Sequence, residues 1–295
     1  MIERTITRRD FLKKTGAAAF VATAGLPLYG QQEEVKKTRV ILIRNESVVD
    51  ANWKIDQKII DQMMDEAMIK LFDTKTADEA WKRIMKPTDI VGIKNNVWQY
   101  LSTPKELENT LKARIMAAGV PEKNISIDDR NILRNPIFEK ATALINARPM
   151  RAHNWCGVSG CLKNYIMFVP NPPDYHADSC VDLGALWKLP IVKGKTRLNV
   201  LVMLTPQFHC LSPHHFDKEY TWLYKGLLVG TDPVALDAVG LKIFEEKRRL
   251  YFKEDTPIRP SPKHIAAAEE KHGIGVSNLN KIELIKLGWK EGLLI

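Results

Sequence analysis

Short runs of uninterrupted apolar residues alternate with segments of helical periodicity, and this alternation is what most constrains how the chain can fold. In Arg39–Arg44 (Arg-Val-Ile-Leu-Ile-Arg) two cations bracket an apolar core, the pattern of a strand covered on both faces. Ile59, Ile60, Met63, Met64, Ala67, Met68 and Leu71 then recur at helical spacing, and the methionines read as gap-filling core residues. Asp89–Lys94 is a second strand. Ser102-Thr103-Pro104 begins a helix with a hydroxyl cap and a proline in the first turn, and Gly119 ends it. Asn124–Asp128 predicts a third strand and Pro136–Ala147 a further helix. Between Pro149 and Pro190 the periodicity dissolves. Leu198–Leu204 and Gly226–Gly230 resume as strands, Asp232-Pro233 caps a helix running to about Leu250, His264–His272 is a last helix, and Lys281–Leu287 a closing strand. This order predicts a single three-layer α/β domain over residues 31–295, with a mainly parallel sheet and helices on both faces.

Residues 1–30 read differently. Thr7-Arg8-Arg9-Asp10-Phe11-Leu12, Lys13-Lys14 and a mild Ala/Gly-rich run to Leu28 resemble a twin-arginine (Tat) export signal followed by a linker. Ala22-Thr23-Ala24 offers the small residues of a cleavage site. The resemblance implies a protein that meets the Tat translocon, crosses the membrane already folded, and works in the periplasm or elsewhere outside the cytoplasm. The apolar run is too short and too rich in Ala, Gly and Thr for a stable span. No later segment reaches that length either, so no membrane span is expected in the mature chain. Residues 1–24 carry five basic and two acidic side chains, so the net charge of +9 becomes +6 without them. The remaining basic residues are scattered rather than clustered, which argues against a nucleic-acid partner and fits a small anionic ligand.

The residue types that carry chemistry gather in the middle of the chain. The block Arg151-Ala-His153-Asn-Trp-Cys156-Gly-Val-Ser159-Gly-Cys161-Leu-Lys163-Asn164-Tyr165 is followed by Tyr175-His176 and Cys180, then by His209-Cys210 and His214-His215. Imidazole and thiol are ligands for borderline and soft metals. His153, His176, Cys156 and His209 are therefore candidates to hold Zn, Ni, Fe or Cu. The four cysteines, Cys156, Cys161, Cys180 and Cys210, can equally pair as disulfides in an exported chain.

The histidine, small-residue turn, Lys163-Asn164 pair and second histidine resemble the core signature of the domain of unknown function 362 family. Three other stretches share the resemblance. Val-Gly-Ile-Lys94-Asn95-Asn96 is similar to the family's lysine-ended early strand. Gly-Leu-Leu-Val-Gly230-Thr-Asp232-Pro233-Val-Ala-Leu-Asp237-Ala-Val-Gly240 is similar to its glycine-aspartate-proline motif, and His264–Gly275 to its closing helix and glycine turn. The resemblance runs from about residue 38 to the C-terminus. It implies an exported protein or one associated with iron–sulfur domains, and a distant likeness to the lactate racemase group, which works with His and Lys residues around a nickel cofactor. Cys161 and Tyr165 depart from the pattern, and no Cys-x-x-Cys pair is present to bind a cluster.

Lys94 and Lys163 are the candidate catalytic residues, as anchors for an anionic group or as proton carriers. Asn95, Asn96, Asn164 and Ser159 are candidate ligand-binding groups. Lys163 would lie one turn into a helix opened by Ser159-Gly160, beside that helix's N-terminal N–H groups. Asp232 and Asp237 are expected to be structural or to support a histidine. Two functions follow. One is a metal-dependent enzyme of redox or isomerase type acting on a small anionic substrate. The other is a non-catalytic extracytoplasmic binding or maturation protein for an anionic ligand, with its cysteines in disulfides.

Overall fold

The structure, a computed structural model, describes residues 37–295 apart from Pro213; the expected export signal lies outside the described residues. Eight strands form one mixed sheet. They are β1 (Thr38–Arg44), β2 (Val91–Lys94), β3 (Ile125–Asp128), β4 (Ala143–His153), β5 (Gly157–Ser159), β6 (Thr196–Gln207), β7 (Gly226–Gly230) and β8 (Ile282–Gly288). Their order is β3-β2-β4-β6-β7-β1-β8, with β5 paired to the far end of β4. All pairings along that order are parallel except those of β7, which runs antiparallel to both β6 and β1.

Alternation along the strands divides the core in two. Ile41 and Ile43 of β1 face one side, with Ile145, Val200 and Val229; against them pack helices α1 (Gln57–Phe72), α2 (Ala77–Ile84) and α3 (Lys105–Ala117) through Ile60, Met64, Met68, Trp81, Leu107 and Leu111. Val40 and Leu42 face the other side, with Leu144, Leu201 and Leu228, under helix α5 (Pro233–Phe252) and helix α6 (Lys263–Glu270). A short helix α4 (Cys161–Asn164) and the irregular stretch after it complete that layer. The three-layer α/β expectation holds, and the methionines at helical spacing are core residues.

Two local readings change. Pro136 opens one helical turn ending at Glu139, and Ala143–His153 is a fully buried strand, not the tail of a helix. Thr142 and Ala143 both donate to the Ile90 carbonyl, tying this segment beside β2, and sheet pairing overrides the helix preference of its alanines. Thr103 does not cap α3. Its hydroxyl accepts from the Asn96 N–H at 2.9 Å and donates to the Ala147 carbonyl at 2.9 Å, so Pro104 takes the cap position without a side-chain bond. Gly119, with φ +103°, ends that helix as expected. Asp232 caps α5 through the N–H groups of Val234 and Ala235. No helix among the described residues is long and apolar enough to cross a membrane.

Candidate functional site

The parallel strands β2 and β4 end at Lys94 and His153, with Asp129 just beyond the end of β3. Ends of this kind are where open α/β sheets build their sites. Lys94 is fully buried, and its ammonium donates to the carboxylate of Asp129, to the Asn95 carbonyl at 2.7 Å and to Asn164 Oδ1 at 3.3 Å. Three donors therefore meet three acceptors, and nothing remains for a ligand. Burial lowers the Lys94 pKa to about 8 against the opposing pull of Asp129.

A ladder of buried amides carries this ion pair across the sheet. Asn164 donates to Asn146 at 2.8 Å and to the Lys94 carbonyl at 3.1 Å. Asn146 donates to Asn199 at 2.9 Å and to the Cys161 carbonyl, and Asn199 closes on the Thr231 carbonyl. Lys94 and Asn164 thus belong to the frame that fixes β2, β4, β6 and α4 together. Asn95 donates to Glu108 at 2.6 Å, leaving its buried Oδ1 without a partner. Asn96 holds the loop after β2 by accepting from the Trp98 N–H, and Ser159 is buried with its hydroxyl unpaired.

Helix α4 does begin after Ser159-Gly160, yet its N-terminal end is already filled. The carboxylate of Asp237, from α5, accepts from the Cys161 N–H at 2.6 Å and the Leu162 N–H at 2.9 Å. The anion site expected there belongs to Asp237. Burial raises that carboxyl's pKa to about 7 despite the two backbone donors.

The decisive side chain is Arg148, which follows Asn146 by two positions on β4 and is 4% exposed. No hydrogen bond or ion pair joins its guanidinium to any described residue, and its Nε is buried without a partner. Arg148 faces Asp129, Cys156, Asp237 and Cys161, while burial lowers its pKa. The Arg151 guanidinium lies over the Trp98 ring, 4.0 Å from its centroid, and adds a second cation to the neighbourhood. Leaving a charged, hydrogen-bonding group buried and unmatched costs several kcal/mol.

The next turn holds the imidazoles and thiols. Asn154, Trp155 and Cys156 link β4 to β5 in a tight hairpin that closes at Gly157, whose φ is +76°. His153 and His176 flank the Trp155 ring at 5.7 and 4.4 Å. His153 Nδ1 accepts from the Trp155 N–H at 3.2 Å. Burial first, and then Lys163, keep both imidazoles neutral, lowering His176 to about 4 and His153 further. Lys163 is 4% exposed, and its ammonium sits 3.5 Å from the Cys180 sulfur with no carboxylate partner among the described residues.

The structure brings His153, His176, Cys156 and Lys163 together. His209 groups elsewhere, 3.0 Å from Arg248 and against Tyr220 and Phe252, beside a cleft of about 250 Å³ over Ala152, Gly157 and Cys210. Among the described residues no group of three or more His, Cys, Asp or Glu side chains is arranged to hold a metal ion. All four cysteines are free thiols, and only Cys156 and Cys180 lie within hydrogen-bonding reach of each other.

The family described as Domain of unknown function (DUF362) matches residues 57–242, more than half of the chain. The chain belongs to that family. No curated protein and no solved structure matches it. The DUF362 match covers β2, β4, α4 and the start of α5, so Lys94, Arg148, His153, Lys163 and Asp237 all fall within it. Asn146 escapes a reading by sequence because its part of β4 is taken for a helix, and Arg148, Asp129 and Asn199 because the groups they meet lie far along the chain. Polar residues at alternating positions 146 and 148, within an apolar strand, are the signal that would have marked them.

Proposed function

We propose that this DUF362 protein is an enzyme acting on a small anionic substrate, with Arg148 and Lys163 as the anchors and His153 and His176 as the proton-handling pair. The observation that carries this reading is the buried Arg148 guanidinium that meets no acceptor among the described residues. Two buried cations stabilise negative charge that develops on a bound carboxylate-type group. A neutral imidazole beside them is in the form that accepts a proton at neutral pH. Isomerase chemistry, in which a proton leaves and returns at the carbon next to the anionic group, fits this equipment.

The test is proton exchange. Small carboxylates incubated with the full chain in deuterium oxide should gain deuterium at the carbon beside the carboxylate, and Arg148→Met should lose most of that activity. No exchange with any of them, alongside tight binding, would favour the non-catalytic ligand-binding reading, which the wholly structural role of Lys94 supports. A transition metal on His153 and His176 is the other form of the enzyme reading, supported by the neutrality of both imidazoles. Elemental analysis of purified protein, with His153→Ala/His176→Ala as control, separates it. Export by the twin-arginine route belongs to the same proposal; replacing Arg8 and Arg9 by lysine should leave the protein in the cytoplasmic fraction.

A further inference from the structure

We propose that Cys180 and Cys156 form a redox-active dithiol, in which Cys180 is the attacking thiolate, Cys156 the resolving thiol, and Lys163 the cation that holds Cys180 ready. This goes beyond the anion-binding reading and shares only Lys163 with it. The two sulfurs come from segments 24 positions apart, the β4–β5 hairpin and the stretch before Val181, and the fold sets them side by side. Cys156 also donates to the Val158 carbonyl at 3.0 Å, and Cys180 lies 3.7 Å from the Trp155 carbonyl. Lys163 Nζ, 3.5 Å from the Cys180 sulfur, has no carboxylate to neutralise it among the described residues. A buried ammonium beside a sulfur supplies the charge that a thiolate needs.

The pair is asymmetric. The adjoining Cys156 thiol, and then Lys163, favour the thiolate on Cys180, while burial and the Cys180 sulfur keep the proton on Cys156. Cys180 is presented by an unusual backbone: Asp178, Ser179 and Cys180 all have positive φ, at 41°, 60° and 60°. Left-handed geometry costs roughly 1–2 kcal/mol for each such residue, so packing must hold this turn in place. Part of that hold is the ion pair from Lys263 to Asp178 at 2.6 Å. The other two cysteines are placed differently. Cys161 sits against Asp237, whose negative charge disfavours a thiolate, and Cys210 lies near Arg151 and Arg248.

Both sulfurs are fully buried, so the co-reactant is a small disulfide that can enter the folded chain. The Cys180 thiolate attacks one of its sulfurs, breaking the S–S bond, and one half leaves as a thiol that takes up the proton released when Cys180 ionised. Cys156 then loses its proton and attacks the Cys180 sulfur of the mixed disulfide, expelling the second half, which takes that proton. The two protein thiols are oxidised to one disulfide, and the external disulfide is reduced to two thiols.

The experiment uses the reduced full chain, incubated folded at pH 7 with glutathione disulfide, quenched in acid, alkylated and mapped by peptide mass. The expected product is a Cys156–Cys180 linked peptide, with Cys161 and Cys210 alkylated as free thiols. Cys156→Ser should stop at a glutathione adduct on Cys180. Lys163→Met, shown to be folded by circular dichroism, should slow adduct formation at least about tenfold, and Lys163→Arg should restore much of the rate. Linkage or adducts that form only after denaturation would overturn the proposal. So would first reaction at Cys161 or Cys210, or an unchanged rate in Lys163→Met. The linked peptide is read without added anion and the anion response without added disulfide, so the dithiol and the anion site can fail separately.

Discussion

Asp237 closes the N-terminal end of helix α4 directly beside Gly160, where any β-carbon would run into its carboxylate. The glycine is there for close approach, since its φ of −126° is open to other residues. Gly160→Ala should therefore destabilise the fold by about 3 kcal/mol, the upper range for forcing atoms into a packed interior. Removing the carboxylate in Asp237→Gly should cost about 1–2 kcal/mol as a lost helix cap. In the double variant the two losses should fall short of their sum by at least about 1 kcal/mol, because the clash disappears with the carboxylate. Urea denaturation of the four proteins checks this, and additive losses would mean that α4 meets Asp237 differently.

Lys94 gives a pH signature. Its folded pKa of about 8 lies below the ordinary 10.5. Between those values the unfolded chain therefore binds more protons than the native one. This group then adds to stability as pH rises from about 8 towards 10.5, and its burial penalty is fully present below 8. Denaturation midpoints of the native chain should accordingly gain on those of Lys94→Met/Asp129→Asn across that window. Asp129→Asn alone leaves the ammonium buried without its counter-charge and should cost about 3–5 kcal/mol at pH 7.

His264 is fully buried at the start of α6, with both ring nitrogens unpaired, and burial lowers its pKa to about 3. Below pH 6.5 the unfolded imidazole takes up a proton that the native one refuses, so native stability falls steadily as pH drops towards 3. His264→Leu should flatten the loss between pH 6.5 and 4 by about 3 kcal/mol in acid denaturation followed by circular dichroism. An equally steep loss would mean that a partner meets this ring in solution.

Sequence patterning made most of the frame legible, and for a physical reason. Val40–Ile43, Val200–Leu204 and Leu227–Val229 are buried on both faces and so read as unbroken apolar runs. The cap at Asp232 and the glycine end at Gly119 are local rules satisfied locally. Ala143–His153 was not legible because its partners, Ile90 and the strands β2 and β6, are distant in sequence. The same non-locality hid the site. Lys94 looks like an exposed strand end until Asp129, 35 positions on, meets its ammonium. The cysteines look interchangeable until the fold sets Cys156 against Cys180 and Cys161 against Asp237.

The central claim is that Arg148 is a buried cation waiting for an anion. The measurement is the thermal midpoint of the full chain and of Arg148→Met, titrated with sulfate and with small carboxylates against chloride at constant ionic strength. A ligand that binds only the native state raises the midpoint in proportion to RT ln(1 + [L]/Kd). At least one such anion should stabilise the native protein in a saturable way, with affinity weakened at least about tenfold, or about 1.4 kcal/mol, in Arg148→Met. The same substitution removes an unmatched buried charge, so without anion the variant should be no less stable than the native chain. A variant that responds to every anion as the native chain does, or that is several kcal/mol less stable without any, would contradict the account.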